Sequence, residues 1–468
     1  MSFLPQLKAF LRKPEGFFAG VSCLFGGMLI LIMPPLQTPD EASHFLRAYQ
    51  VAQFEMIPQE HNGAIAGNFP KSLSKTIELL DTKPSLRFHP ETKYDLRRTK
   101  AALVDIPLNK HDRAFTTGVT SYSPVGYLPQ AIGIFAGLLL NLPPIVLMYI
   151  ARLASLIAWI GLIFISIRLV PSKKWAFVGL GLLPMLVAQA ISPGIDAISI
   201  GLGVLFIALV LKMRTFPNIS QKWWIALVII ACLIALTKQT TIVVLGFAFL
   251  LKYTQLDTEK WKGFFKKCSI FVLPAIVFIG WTLVVYAQNL GGTTAIEGQN
   301  SAGQISNMLH HPFRFIQVLF NTFFTTWGDN VINSFIGNFG WADTPLAGGF
   351  VGLGYIFIAG MLFINYETVK EKINRREKWL LVILALIYII GTCLALYVLY
   401  SPVDFNIVYG LQGRYFLLYL FIIVPLFAGL QLKMPKKYFV TFACTGSLFL
   451  LTISVLTIFI RYYVTLFM

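Results

Sequence analysis

The chain has 468 residues, of which 56% are hydrophobic, 14% aromatic and 13% charged, and its formal net charge is +17. At a mean hydropathy of +0.70, one soluble core cannot hide so much apolar surface; lipid must cover part of it, and the chain reads as an all-α polytopic membrane protein. Five cysteines (Cys23, Cys232, Cys268, Cys393, Cys444) lie in or beside apolar runs without a CxxC pair, which argues against a disulfide framework or a thiolate metal site.

In chain order, the first apolar run (17 to 34) lacks a small-residue cleavage site and is read as a retained span behind a cytoplasmic N-terminus, residues 1 to 16. Further runs fall at 145 to 168, 175 to 191, 196 to 212, 222 to 237, 239 to 252, 269 to 288, 347 to 366, 379 to 400, 413 to 431 and 438 to 460, so about eleven spans are expected in one integral membrane domain, 1 to 468. The run "PVGYLPQAIGIFAGLLL" (124 to 140) is short and proline-interrupted; if it crossed, there would be twelve spans and every later loop would change side. Treated as a re-entrant or short helix, it leaves about 22 Lys and Arg against about 6 Asp and Glu on one face, with nearly all of the +17. By the positive-inside rule that face is cytoplasmic. The basic excess therefore reports topology and anionic headgroups, not nucleic acid.

Two long connections, 35 to 123 and 290 to 345, fall on the opposite, extracytoplasmic face and hold all six histidines. Connections of that length are functional or folded, so compact caps containing interfacial helices are expected. The stretch "SNMLHHPFRFIQVLFNTFFTTW" (306 to 327) reads as an amphipathic interfacial helix with an aromatic face. No internal repeat supports an inverted-repeat transporter.

The stretch "PPLQTPDEASHF" (34 to 45) places two carboxylates at the mouth of the first span. Thr38 as N-cap, Pro39 at the first helical position and Glu41 reaching back would form a capping box, which leaves Asp40 without a capping job. A helix starting there sets Asp40, His44 and Arg47 on one face. Asp40 and His44 could share a divalent cation, but a lone pair is weak ground for a metal site, and no cofactor is expected. Arg152 lies inside its span, Asp196 follows a Ser-Pro-Gly break, Lys238 occupies a two-helix turn, and Arg414 opens a span in "YGLQGRYF". "FGWADTPL" adds Trp341 and Asp343. A single Lys or Arg near a helix end is ordinarily an anchor or a snorkelling side chain. The convergence of these groups on one side of the membrane is what marks them as a candidate site.

"PPLQTPDEASHFLRAYQ", "SPVGYLPQAIGI", "LPMLVAQAISPGIDA", "GWADTPL" and "QGRYFLL", in this order across nearly the whole chain, resemble the bacterial multipass family catalogued as domain of unknown function 2142. The architecture of that family resembles family C glycosyltransferases, with their GT-C fold. The resemblance implies a GT-C-like bundle that moves a sugar from a polyprenyl-phosphate donor to a cell-envelope glycan or other acceptor at the extracytoplasmic face of a bacterial plasma membrane. Asp40 and Glu41 match the catalytic carboxylate position. Arg414, Lys238 and Arg152 match only the need for a cation at the lipid phosphate, and His44, Arg47, Tyr122, Asp196, Trp341, Asp343 and Gln412 are substrate-binding candidates. Inverting transfer with a carboxylate base fits these residues, because the phosphate leaving group needs no general acid. The rival readings are a lipid or oligosaccharide transporter or flippase, and a non-catalytic partner in polysaccharide assembly. Charges crowded at one face favour the enzyme.

Overall fold

A computed structural model of the chain describes residues 3–81, 85–288, 290, 296–366, 373–429 and 432–465. Among the described residues, six helices are long and apolar enough to cross a bilayer: Pro14–Ile32, Pro144–Leu169, Asp196–Met213, Lys260–Ala287, Arg375–Leu399 and Lys436–Tyr463. The other five expected spans are helical but short or broken. Residues 175 to 191 divide into Lys174–Gly181 and Pro184–Ala190, because Pro184 has no N–H to continue the first helix. Gln221–Ala235 turns at Lys238 into Gln239–Leu250, which is wound as a 3-10 helix. Gly348–Phe363 is short, and 413 to 427 alternates 3-10 and α turns around Pro425.

The loops grouped by the charge count meet at one end of the bundle. There the Lys173 ammonium donates to the carbonyls of Leu362 (2.7 Å) and Ile364 (3.1 Å), Arg214 pairs with Glu377 at 2.7 Å, and the Ile219 amide donates to the Gln255 carbonyl. Residues 124 to 140 make a shorter apolar segment than the six long helices. They form a 3-10 turn, Pro124–Tyr127, and a helix, Leu128–Leu139. Gly133 meets Ile150 and Ala154, and Gly137 meets Leu147, so this helix lies along only the first half of Pro144–Leu169. A Cβ on Gly137 would come within 2.4 Å of the Leu147 side chain, so a larger residue there would force that leucine to move.

At the opposite end the connection 35 to 123 folds into a cap of three helices, Glu41–Ala52, Lys71–Leu80 and Leu96–Val104, with a three-stranded antiparallel sheet. Its strands, Gln59–His61, Ala64–Pro70 and Arg113–Thr117, pair in sequence order. Asn62 (φ 53°) and Gly63 (φ 78°) both take the left-handed conformation between the first two strands, as the commonest tight hairpin turn requires. The cap has its own core, in which Phe45, Tyr49, Phe69 and Leu73 pack with Tyr127, Ile134 and Met148 of the helices below. The expected interfacial helix is two, Ser301–His310 and Arg314–Phe324, broken at Pro312. On the second, the exposed Phe313, Ile316, Phe320 and Phe324 have the spacing of one helical face.

Candidate functional site

The two neighbouring carboxylates at the mouth of the first span have different surroundings. Glu41 is 0% and Arg152 1% exposed, and they form a two-pronged pair: Arg152 Nε to Oε1 at 2.6 Å and Nη2 to Oε2 at 2.7 Å. Arg152 also donates to the carbonyls of Ile30 (3.3 Å), Met33 (2.7 Å) and Pro34 (2.9 Å), closing the end of the first span. Glu41 does reach back to the Thr38 amide, at 3.3 Å. Thr38 is nevertheless not the cap: the helix starts at Glu41, Asp40 is its N-cap residue, and the Thr38 hydroxyl is buried without a partner. A donor-phosphate role for Arg152 and a catalytic role for Glu41 are therefore corrected, since both groups are sealed from solvent and fully engaged with each other and with backbone.

Asp40 is exposed, sits in the left-handed region (φ 56°, ψ 21°) and makes no capping hydrogen bond with its side chain. Its charge is felt at His44, Tyr122, Tyr400 and Arg414. His44, one turn along the same helix, takes part through Nδ1 in a 2.6 Å hydrogen bond with the Tyr127 hydroxyl, which is 2.9 Å from the Thr120 hydroxyl. Its ring stacks on Tyr122 at 6.2 Å. Burial holds the His44 imidazole below its ordinary pKa; Asp40 and Asp196 oppose this, and Lys238 and Arg414 add to it. The Ser-Pro-Gly break comes close against this histidine, since a Cβ on Gly194 would lie 3.3 Å from its ring. Gln130 donates to the Pro193 and Gly194 carbonyls, each at 3.3 Å, and so fixes the start of the Asp196 helix.

Lys238 pairs with Asp196 at 2.7 Å and stands 4.8 Å from the centre of the Tyr415 ring. Arg414 approaches the same ring at 5.2 Å and keeps its Nε–H buried with no acceptor. The turn that carries it is braced from below. The Gly413 amide donates to Ser334 Oγ at 2.7 Å, and a Cβ at Gly413 would fall 2.0 Å from the Val331 carbonyl oxygen. Asp40, His44, Tyr122, Asp196, Lys238 and Arg414 thus gather from five separate stretches of the chain into one polar cluster containing two carboxylates, two cations and a histidine. Among the described residues, no three His, Cys, Asp or Glu side chains converge as a metal site would.

The model of the family of predicted membrane proteins designated DUF2142 matches residues 23–424, nearly the whole of this fold and every member of the polar cluster. The chain belongs to that family. No curated protein matches it.

In this DUF2142 protein the remaining sequence candidates lie apart from the cluster or at its edge. Arg47 is buried, donating to Gln50 and to the carbonyls of Tyr122, Glu55 and Met56, so it ties the cap together and is not placed to bind substrate. Asp343 is corrected likewise: it accepts from the Phe88 amide at 2.9 Å and pairs with Arg461 at 3.4 Å, both carboxylate and guanidinium being buried. Arg461 in turn donates to the carbonyls of Leu86, His89 and Thr92. Trp341 donates from its indole to the Leu36 carbonyl at 3.0 Å, and Arg87 covers its ring at 4.0 Å, leaving that face closed to a sugar. Gln412 caps the Arg414 turn through its backbone, accepting from the Tyr415 amide. Missing from the sequence candidates were Tyr127, Thr120, Tyr415 and Ser334. Tyr127 and Tyr415 stand inside stretches singled out for their prolines and glycines, but a tyrosine beside an apolar run gives no signal of its own.

Proposed function

We propose that this protein is a membrane glycosyltransferase that takes a sugar from a polyprenyl-phosphate donor and passes it to a cell-envelope glycan or another acceptor. On this reading the cluster faces the extracytoplasmic side of a bacterial plasma membrane, the basic end faces the cytoplasm, and the bundle is of the GT-C kind. The supporting observation is the contrast within one dipeptide: Glu41 is buried against Arg152, whereas Asp40 is exposed and its charge acts on Arg414. An acceptor hydroxyl attacks the anomeric carbon, Asp40 takes the hydroxyl proton, and the bond to the phosphate oxygen breaks with its electron pair leaving on the phosphate. Arg414, with its unpartnered Nε–H, and Lys238, held by Asp196, stabilise that phosphate. Arg suits the task because its planar fork meets two phosphate oxygens at once.

The test is reconstitution in liposomes with labelled polyprenyl-phosphate sugars and envelope glycan acceptors. Asp40→Asn keeps size and polarity but cannot take a proton, so transfer is expected to fall by at least about a hundredfold while the protein stays folded. Full transfer by a folded Asp40→Asn protein, or no transfer by the wild type with any donor, sinks the reading. Sidedness is tested separately, with single cysteines at Lys110, Thr254 and Asn300 and an impermeant thiol reagent. Labelling is expected at Lys110 and Asn300 only; labelling at Thr254 alone inverts the topology.

A further inference from the structure

Arg375–Leu399 and the chain that follows it flank the polar cluster. The Tyr388 hydroxyl, in the middle of that helix, donates at 2.8 Å to the carbonyl of Tyr415, the neighbour of Arg414. Twelve residues on, about 18 Å further at about 1.5 Å each, Gly410 lies against Tyr400. The stretch from Gly410 to Tyr415 therefore runs along the helix from its end back toward its middle, and Tyr400 stands at the rim of the wall that carries Arg414. Two rings are presented together there. Tyr400 is 42% exposed and Tyr409 38%, and they stack with centres 6.1 Å apart and planes 24° from parallel. The loop that joins them is held in place from several sides. The fully buried Ser401 accepts the Tyr409 amide at 3.0 Å, the Val408 amide donates to the buried Thr322 hydroxyl at 2.9 Å, and Phe405 meets the Tyr409 ring edge-on at 5.8 Å. Gly410 is left-handed (φ 72°), and a Cβ there would come within 2.7 Å of the Tyr400 ring and push it aside. Exposed tyrosines at a helix end are ordinarily interfacial anchors. What sets this pair apart is its neighbour: the exposed Asp40 carboxylate acts on Tyr400 as well as on Tyr122, the ring that stacks with His44.

We propose that Tyr400 and Tyr409 form an aromatic platform that binds a pyranose ring of a glycan acceptor and holds its attacking hydroxyl toward Asp40. One face of a pyranose is lined with C–H groups, and its edge carries hydroxyls. The C–H face meets the electron-rich faces of the two tyrosines, and the hydroxyl edge is left for Asp40 and for the tyrosine hydroxyls. An acyl chain laid on the same rings would strip water from the Asp40 carboxylate and give it no partner, whereas a sugar supplies hydroxyl donors. Because the loop is already held, little ordering is lost when the ring docks. The inference rests on the catalytic role given above to Asp40 and adds the class of acceptor, a sugar, and the residues that hold it.

Binding is read apart from catalysis, by saturation-transfer NMR on the protein in nanodiscs with methyl β-glucoside, methyl β-galactoside, methyl α-mannoside and methyl β-N-acetylglucosaminide as probes. At least one glycoside is expected to receive saturation at its ring C–H protons, and its Kd is expected to weaken about tenfold or more in Tyr400→Ala and in Tyr409→Ala. Tyr400→Phe and Tyr409→Phe keep the ring faces and are expected to bind within about threefold of the wild type, which separates loss of the platform from loss of the fold. In the liposome transfer assay the alanine changes are expected to raise the acceptor KM and to leave the donor KM as it is. No saturation of any glycoside, or equal affinity in the wild type and both alanine variants, overturns the platform, and so does a rise in donor KM in place of acceptor KM. Glycoside binding that the alanine variants lose, with no transfer by the wild type, keeps the platform and sinks the glycosyltransferase reading. Transfer by a wild type that binds none of the glycosides does the reverse.

Discussion

Two sets of charges occupy the same end of this bundle. In the sealed set, Glu41–Arg152 and Asp343–Arg461, each arginine donates to a carboxylate and to three backbone carbonyls, although the Arg461 Nε–H is left buried without an acceptor. In the open set, Asp40, His44, Asp196, Lys238 and Arg414, there is one ion pair, one exposed carboxylate and an arginine whose described hydrogen bond goes only to the Tyr415 hydroxyl, at 3.4 Å. The sealed pairs close gaps between segments, the first between the end of the first span and the cap, the second between both long connections and the end of the last helix. The open set also bridges segments, through His44–Tyr127 and Asp196–Lys238, but it leaves Asp40 exposed and Arg414 without a carboxylate or carbonyl acceptor.

The comparison can be broken by measuring stability in detergent. Arg152→Ala leaves Glu41 buried without its partner and three carbonyls uncapped, so a loss of about 3–5 kcal/mol is expected, against about 0.5 kcal/mol for Arg414→Ala. Equal losses would erase the distinction between the two sets. Arg461→Ala is expected to cost about 2–3 kcal/mol and to make the 86–94 segment accessible to protease, since its guanidinium holds three carbonyls there. Asp40→Gly is expected to stabilise by up to about 1 kcal/mol, because glycine takes the left-handed conformation without strain, while sugar transfer is lost. A destabilised Asp40→Gly protein would place Asp40 in the sealed set.

The smallest effect concerns His44. Its folded-state pKa lies below the ordinary value near 6.5, so between about pH 7 and pH 5 the unfolded chain binds this proton before the folded one does, and stability falls as pH falls. In His44→Gln that part of the slope is expected to vanish from thermal melts recorded across this window. An unchanged slope would show that Asp40 and Asp196 offset burial at this imidazole.

Asp40, His44, Tyr122, Asp196, Lys238 and Arg414 were legible in the sequence because each stands at a break, a turn or a helix start, where a polar group in an apolar chain is conspicuous. Arg152, inside its span, and Arg414, at the start of one, are both single cations in an apolar setting, and sequence ranks them alike. What separates them is the number of acceptors within reach, and the acceptors of Arg152 are the backbone carbonyls of Ile30, Met33 and Pro34, more than a hundred residues away. Hydropathy located every apolar run but not its depth, since a window average scores a short helix buried in protein as it scores a span. The small sheet of the cap was announced by Asn62-Gly63 between short strands, a turn signal hidden within a connection read as a whole.

The winding of Gln239–Leu250 sets how far Lys238 stands from the basic end. Twelve residues at the 3-10 rise of about 2.0 Å reach about 24 Å, whereas the same residues wound as an α-helix, at about 1.5 Å each, reach about 18 Å. Rewinding this limb would therefore draw the Lys238 ammonium inward by about 6 Å, a distance longer than the ion pair it makes with Asp196. The pitch of one short limb thus works as a length gauge, with the cation at its tip as the pointer.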